Sequence, residues 1–285
     1  MLLTRAEVAF DFDGEQFDLE RDRSLLAWLM SQPLHDGVAA IDGARWIGRA
    51  PDLDSAERVA RQCADDLQQV RDIMKIFRIL GSEPRPPDPF LRRLGGRAAA
   101  RTWEEHLALS VVRGEGFALV VLYALSDTIP EAEVGALLEG IILRKEAHVG
   151  FGESGAMRAV GSGDGRRGRA LLGRNLAHLL ALRWIATAVE QAAPRGHWLV
   201  AQLPGFLRHA NAVAEERLRR IGLLRGPLSS LTPARMGRLL AEGLASRILP
   251  RRPAGARSAR LVSRYLEDPV VRGHDVLWSG EDPTP

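Results

Sequence analysis

The stretch ILRKEAHVGFGE at residues 142–153 sets a lysine, Lys145, three residues ahead of a histidine, His148. On a helix that spacing puts both side chains on one face. An imidazole can ligate a metal or carry a proton, whereas a protonated ammonium has no lone pair to give and pairs with carboxylates instead. Two carboxylates are placed to meet them. Asp66 interrupts the apolar line Val59, Cys63, Val70, Ile73, Phe77, and Glu115 interrupts the line Ala108, Val111, Ala118, Leu122. Lys145 and His148 interrupt Val134, Leu138, Ile141, Gly152 in the same way. Charged side chains are seldom buried unless paired, so polar residues near the middle of three successive apolar stripes predict that these four groups converge. Two chemistries are open to such a cluster. One is an ammonium held by Asp66 and Glu115. The other is a metal ion held by Asp66, Glu115 and His148. Lys145 and Glu115 are also the candidate catalytic groups, although two neighbouring carboxylates oppose the loss of the lysine proton that a base would need.

The elements that must position these groups read as helices, and the fold class is all-α. SLLAWLMSQPL and GVAAIDGARWIG form two helical pieces separated by Pro33 and ended by Pro51. Asp54-Ser55 caps a helix of about 26 residues that closes on Gly81. Thr102, with Glu105 three residues later, opens the next in a capping-box pattern, and Pro130 stands in the first turn of the one after it. GESGAMRAVGSGDGRRGR reads as a glycine-rich loop. Three further helices follow after residue 170. PRRPAGARS reads as a linker and SARLVSRYLED as a last short helix. The division is thus an N-terminal arm over 1–22, a helical bundle over 23–160, additional helices over 170–270 and a tail over 271–285. In the arm, VAFDFDGEQFDL alternates about an Asp13-Gly14 turn and suggests a short β-hairpin.

Composition narrows the classes. With 46% apolar and 26% charged residues in 285, the chain can bury a sizeable core, and only 6% are aromatic. One cysteine, Cys63, makes neither a disulfide nor a thiolate zinc cluster. The opening MLLTRAEVAFDFDGEQF carries acids where a secretory signal would be apolar, and no run of about 18 apolar residues suggests a membrane span, so a cytoplasmic location is the expectation. The net charge of +3 divides into −7 over residues 1–150 and +10 over 151–285. The arginines of the basic half are spread along helices without interleaved aromatics, so a nucleic-acid partner is disfavoured.

The stripes carry a resemblance. CADDLQQVRDIMKIFRILG looks like the Asp-Glu-x-x-His helix of the ferritin-like di-iron carboxylate proteins, RGEGFALVVLYAL resembles their third helix, and ILRKEAHVGFGE their fourth, over roughly residues 36–155. The resemblance implies a four-helix bundle whose core offers one Glu from each of two helices and Glu-x-x-His from the other two. Carried over by position, Asp66 matches the first Glu-x-x-His carboxylate and Gln69 its histidine. Glu115 matches the lone carboxylate of the third helix. Lys145 takes the second motif's glutamate and His148 keeps its histidine. Asp36 or Asp42 would supply the first helix's carboxylate, neither at a convincing spacing. Two altered positions argue against a full di-iron centre, since a lysine adds charge of the metal's own sign.

The expectation is therefore a ferritin-like protein with a degenerate metal site. It would be metal-free or metal-poor, acting through a retained core cavity on a small-molecule ligand or through a partner. The alternative is an iron- or manganese-dependent ferritin-like oxidoreductase or oxygenase acting on an organic substrate. The helices after residue 170 could cap the bundle, line a tunnel or form a homodimer surface. Glu139, Glu146 and Glu153, seven residues apart, read as a solvated row. His106, His178, His197 and His209 read as structural. Ser154 and GSGDG lack the preceding strand that a nucleophile turn or a phosphate cradle needs.

Overall fold

The computed structural model describes residues 1–86, 100–161 and 165–248, and every regular element among them is helical. In chain order these are α1 (Arg5–Val8), α2 (Arg23–Ala39), a 3₁₀ segment (Ala40–Arg49), α3 (Leu53–Ile79), α4 (Trp103–Thr128), α5 (Ala132–Gly161), α6 (Gly165–Ala192), α7 (Trp198–Arg220), a short 3₁₀ turn (Leu228–Ser230) and α8 (Pro233–Ile248). The linker and short helix expected after residue 248, and the tail, lie outside the described residues, as does much of the Pro-rich stretch before residue 100.

Local chemistry sets the ends. Asp52 caps α3, its side chain accepting from the Ser55 amide at 2.7 Å, two residues earlier than the sequence suggested. Gly81 ends α3 at φ 57°, where the Ser82 amide donates back to the Phe77 carbonyl at 3.0 Å. Thr102 caps α4 as expected, but Glu105 returns to the Arg101 amide at 2.7 Å, one residue before the capping-box donor.

α2, α3, α4 and α5 share one apolar core, with Leu26 and Met30 from α2, Ile73 and Ile76 from α3, Leu119 from α4 and Leu138 from α5 all nearly without exposure. Each such side chain contributes about 1.5–3 kcal/mol on burial. α6 packs on α8 and on the first half of α4, and α7 lies against α6 and α4. α4 is apolar and long enough to cross a membrane by composition alone, but it is mostly buried among the other helices, as a core helix is.

Three sequence expectations need correction. Residues 9–19 do turn at Asp13 (φ 57°) and Gly14 (φ 76°), but no strands pair across the turn. Its arms bury aromatic residues instead: Phe12 stacks on Phe206 of α7 at 5.8 Å, and Phe17 meets Trp198 at 5.0 Å. Pro33 does not divide the second element, since α2 runs through it. The glycine-rich segment after residue 152 is not a loop up to Gly161 but the end of α5. Gly152 and Gly155 lie in a close helix crossing: a Cβ on Gly152 would come within 2.5 Å of the Val111 side chain, and one on Gly155 within 2.6 Å of Leu107. Both contacts lie in α4, so the glycines bring α5 onto the turn that carries the candidate site.

Candidate functional site

Residues His106–Glu115 of α4 are wound as a π-helix. Its wider turn holds between four and five residues, so positions nine apart come round to nearly the same side, whereas in an α-helix they face opposite ways. His106 and Glu115 therefore come to nearly the same side of α4, where Glu115 meets α3 and α5 and His106 meets Trp46 of the 3₁₀ segment. π-Helical turns are rare and occur frequently at functional sites.

Lys145 Nζ donates to Asp66 Oδ1 at 2.7 Å and lies 3.8 Å from Glu115 Oε2. Lys145 keeps 2% of its surface and Asp66 3%. His148 spans two carboxylates, with Nδ1 3.0 Å from Glu115 Oε2 and Nε2 3.0 Å from Asp65 Oδ2. A neutral imidazole has one N–H, so a carboxylate at each nitrogen fits the imidazolium, which donates twice. Gln62 Nε2 donates to the second oxygen, Oε1, of Glu115. The four groups named from the apolar stripes thus converge, and Asp65 and Gln62 join them. Gln69 does not: its amide donates to the Pro33 carbonyl of α2 at 2.7 Å. The side chains of Asp36 and Asp42 lie outside the described residues.

Electrostatics sorts these acids. Burial pushes Asp66 up to about 6 against the pull of Lys145. Glu115 is held below its ordinary value, because Lys145 and His148 together outweigh its burial. His148 is raised above its ordinary value: burial opposes its charge, but the bond to Glu115 prevails. Cys63 is pushed up to about 11 by burial and by the Asp66 and Glu115 charges, so its thiol stays protonated.

His106 is the group that sequence reasoning set aside as structural. It stacks on Trp46 at 4.6 Å with ring planes 9° apart, and neither ring nitrogen has a hydrogen-bond partner among the described residues. Burial pushes it down to about 4, although Glu115 pulls the other way, so it is neutral near pH 7.

The other acidic row, Glu139, Glu146 and Glu153, is corrected at its second and third members. Glu153 has no exposed surface; it accepts from Arg217 Nε at 2.9 Å and from the Leu2 amide at 2.5 Å. Glu146 takes Arg5 and the Tyr123 hydroxyl, each at 2.5 Å. Glu146 and Glu153 tie the N-terminal arm and α7 to α5, whereas Glu139, paired with Arg5 at 2.8 Å, keeps nearly half of its side chain in water as the solvated reading expects.

A di-iron pair does not fit the residues present. Oxygen and nitrogen atoms of Asp66, Glu115 and His148 lie within 4.8 Å of one another, enough for three ligands to one ion. The Lys145 ammonium stands among them and His148 is engaged as a cation, so an ion would have to displace both charges. Comparison with protein-family models, with curated proteins and with solved structures finds no match.

The charge state of His148 predicts a pH dependence. A raised folded-state pKa means that its stabilising contribution is complete below the ordinary value of 6.5 and is lost as pH rises through the folded value. Glu115, with a lowered pKa, contributes above its ordinary 4.5 and loses that contribution on acidification. The stability gap between the wild-type protein and His148→Gln is therefore expected to be widest between about pH 5 and 6.5 and to narrow toward pH 9. Urea unfolding of both proteins across that range checks this; a gap that grows with pH would show His148 to be neutral.

Proposed function

We propose that this chain is a ferritin-like helical protein in which a lysine ammonium has taken the place of a metal ion, and that it works by binding a small molecule or partner rather than by oxidative chemistry. The observation that carries the reading is the position of Lys145 Nζ, within ion-pair reach of both Asp66 and Glu115 in the interior. That arrangement neutralises carboxylates which the resemblance would give to metal. A buried ion pair adds little net stability compared with apolar packing of the same volume, and the surrounding core already supplies many buried side chains. Stability alone is thus a weak reason for the cluster, and a role in shaping the interior is the better one.

The second reading, an iron- or manganese-dependent oxidoreductase, draws support from the same triad of Asp66, Glu115 and His148. Metal analysis separates the two. Protein from cells supplied with iron and manganese is expected to carry well below one ion per chain. Lys145→Glu, which replaces the displacing charge with a ligand, is expected to raise that content to near one or above. Near-stoichiometric metal in the unaltered protein would overturn the metal-free reading.

A further inference from the structure

An amine and a carboxyl group shut away from water are reactants as well as an ion pair. Lys145 Nζ lies 2.7 Å from Asp66 Oδ1, which also brings it close to the carboxyl carbon, in the range of about 3–3.5 Å from which a bond can form. Two long helices that pack directly on each other, α5 and α3, carry the two groups. Ile141, one turn before Lys145, and Val70, one turn after Asp66, are buried with them. The third member of the cluster is set apart. Glu115 Oε2 stands 3.8 Å from Nζ, and its two oxygens are already engaged by Gln62 and His148. Asp66 is therefore the carboxyl group within reach of attack, and Glu115 is the neighbouring acceptor for a proton.

We propose that Lys145 and Asp66 condense in the folded protein to an isopeptide bond between α5 and α3, with Glu115 as the base. One ammonium proton passes to Asp66 Oδ1 along the 2.7 Å contact, and a second passes to Glu115 Oε2. The nitrogen lone pair then attacks the Asp66 carboxyl carbon. The carbon–oxygen bond breaks, its electron pair leaves with the oxygen, and Glu115 returns its proton to that oxygen. The products are one amide, which keeps the third ammonium proton, and one water. No oxidant, reductant or further reactant is needed, and Glu115 ends as it began.

In water such a condensation runs toward the free acid and amine. Here the fold fixes both reactants, and an effective molarity on the order of 10⁵–10⁸ M works against hydrolysis. Closure also removes two charges from a site where Lys145 keeps 2% of its surface and Asp66 3%, and it leaves Glu115 facing the His148 cation. The same carboxylates oppose loss of the lysine proton, so closure is slow relative to folding. The bond would join positions 79 residues apart, a cross-link that a chain with a single cysteine cannot make as a disulfide. This deepens the metal-free reading and rests on it: the ammonium that displaces a metal is the amine that closes the bond.

Mass spectrometry of the full chain, incubated folded and then denatured, is the test. The mass is expected to fall until each molecule is one water lighter than its sequence. Trypsin should then release a branched peptide joining residues 62–71 to 145–158, uncleaved after Lys145 and with the branch on Asp66. Chain held in urea should keep its full mass, because the two groups meet only on folding. Lys145→Arg retains the cation but offers no attacking amine, and it should also keep its full mass. Glu115→Gln is expected to slow the loss by about a hundredfold or more. Full mass in the folded protein overturns the bond, as does a lost water without the branched peptide or an equal loss in Lys145→Arg. Closure of Glu115→Gln at the wild-type rate overturns the role of Glu115. If Glu115→Gln fails to fold, the wild-type protein and Lys145→Arg still decide the bond. Full mass without metal sinks the bond alone, whereas near-stoichiometric metal in the wild-type protein sinks the reading of the cluster on which it rests.

Discussion

Replacing Lys145 by methionine is expected to destabilise the protein by about 3–5 kcal/mol, because it strands Asp66 and Glu115 in the interior without their cation. Methionine fills nearly the same space, so the loss reports charge rather than a cavity. Two refinements follow from the same cause. Adding Asp66→Asn to Lys145→Met should recover part of the loss, since an amide costs less to bury than a carboxylate. The deficit should also shrink on acidification, as Asp66 and then Glu115, both raised by the loss of the lysine's pull, take up protons and shed the stranded charges. Equilibrium urea unfolding of the two variants measures both. A loss below about 1 kcal/mol would mean that the ammonium reaches water and that Lys145 is an ordinary surface cation.

A comparably large effect is expected where α6 meets α8. A Cβ on Gly173 would lie 1.9 Å from the Leu239 carbonyl oxygen, and one on Gly243 would lie 2.8 Å from the Arg174 amide. Backbone meets backbone there, so no rotamer change can relieve a larger side chain. Gly173→Leu should therefore cost about 3 kcal/mol or more, at or above the usual range for overpacking. The damage should be local. Amide exchange ought to accelerate across 233–248 while 134–149 in α5 stays protected. Uniform acceleration would show that α8 is part of one cooperative unit with the core, and an unchanged rate would place the two helices further apart.

How much of this was legible in the sequence varies with the physics involved. The apolar stripes located Asp66, Glu115, Lys145 and His148, because a charge in a buried line must find a partner and the partners lay in other stripes. Gln62 lies four residues before Asp66 and was accessible to the same reasoning. Asp65 was not, since it sits one residue off the line and half in solvent, and it reaches the site only through His148. Gln69 looked like an altered ligand but answers to a carbonyl on α2, which no pattern on α3 announces. Glycine misled most. The same residue type that breaks helices also lets them approach, and Gly152 and Gly155 do the second. Aromatic alternation around Asp13 suggested strands, yet those rings were spent on α7.

Two lysines occur in the entire chain, against 37 arginines, and one of them lies in the buried cluster. The compact ammonium there faces Asp66 of α3 and Glu115 of α4, and α4 is a helix whose winding changes part-way along. That change of winding acts like a phase offset between the two ends of α4. Removing a single residue anywhere between His106 and Glu115 would leave every functional group in the chain yet turn one of these two side chains out of register with the other. The architecture is thereby more sensitive to the count of residues in that segment than to most of their identities, and an evolutionary path that shortens it by one would have to re-seat either His106 on Trp46 or Glu115 beside Lys145.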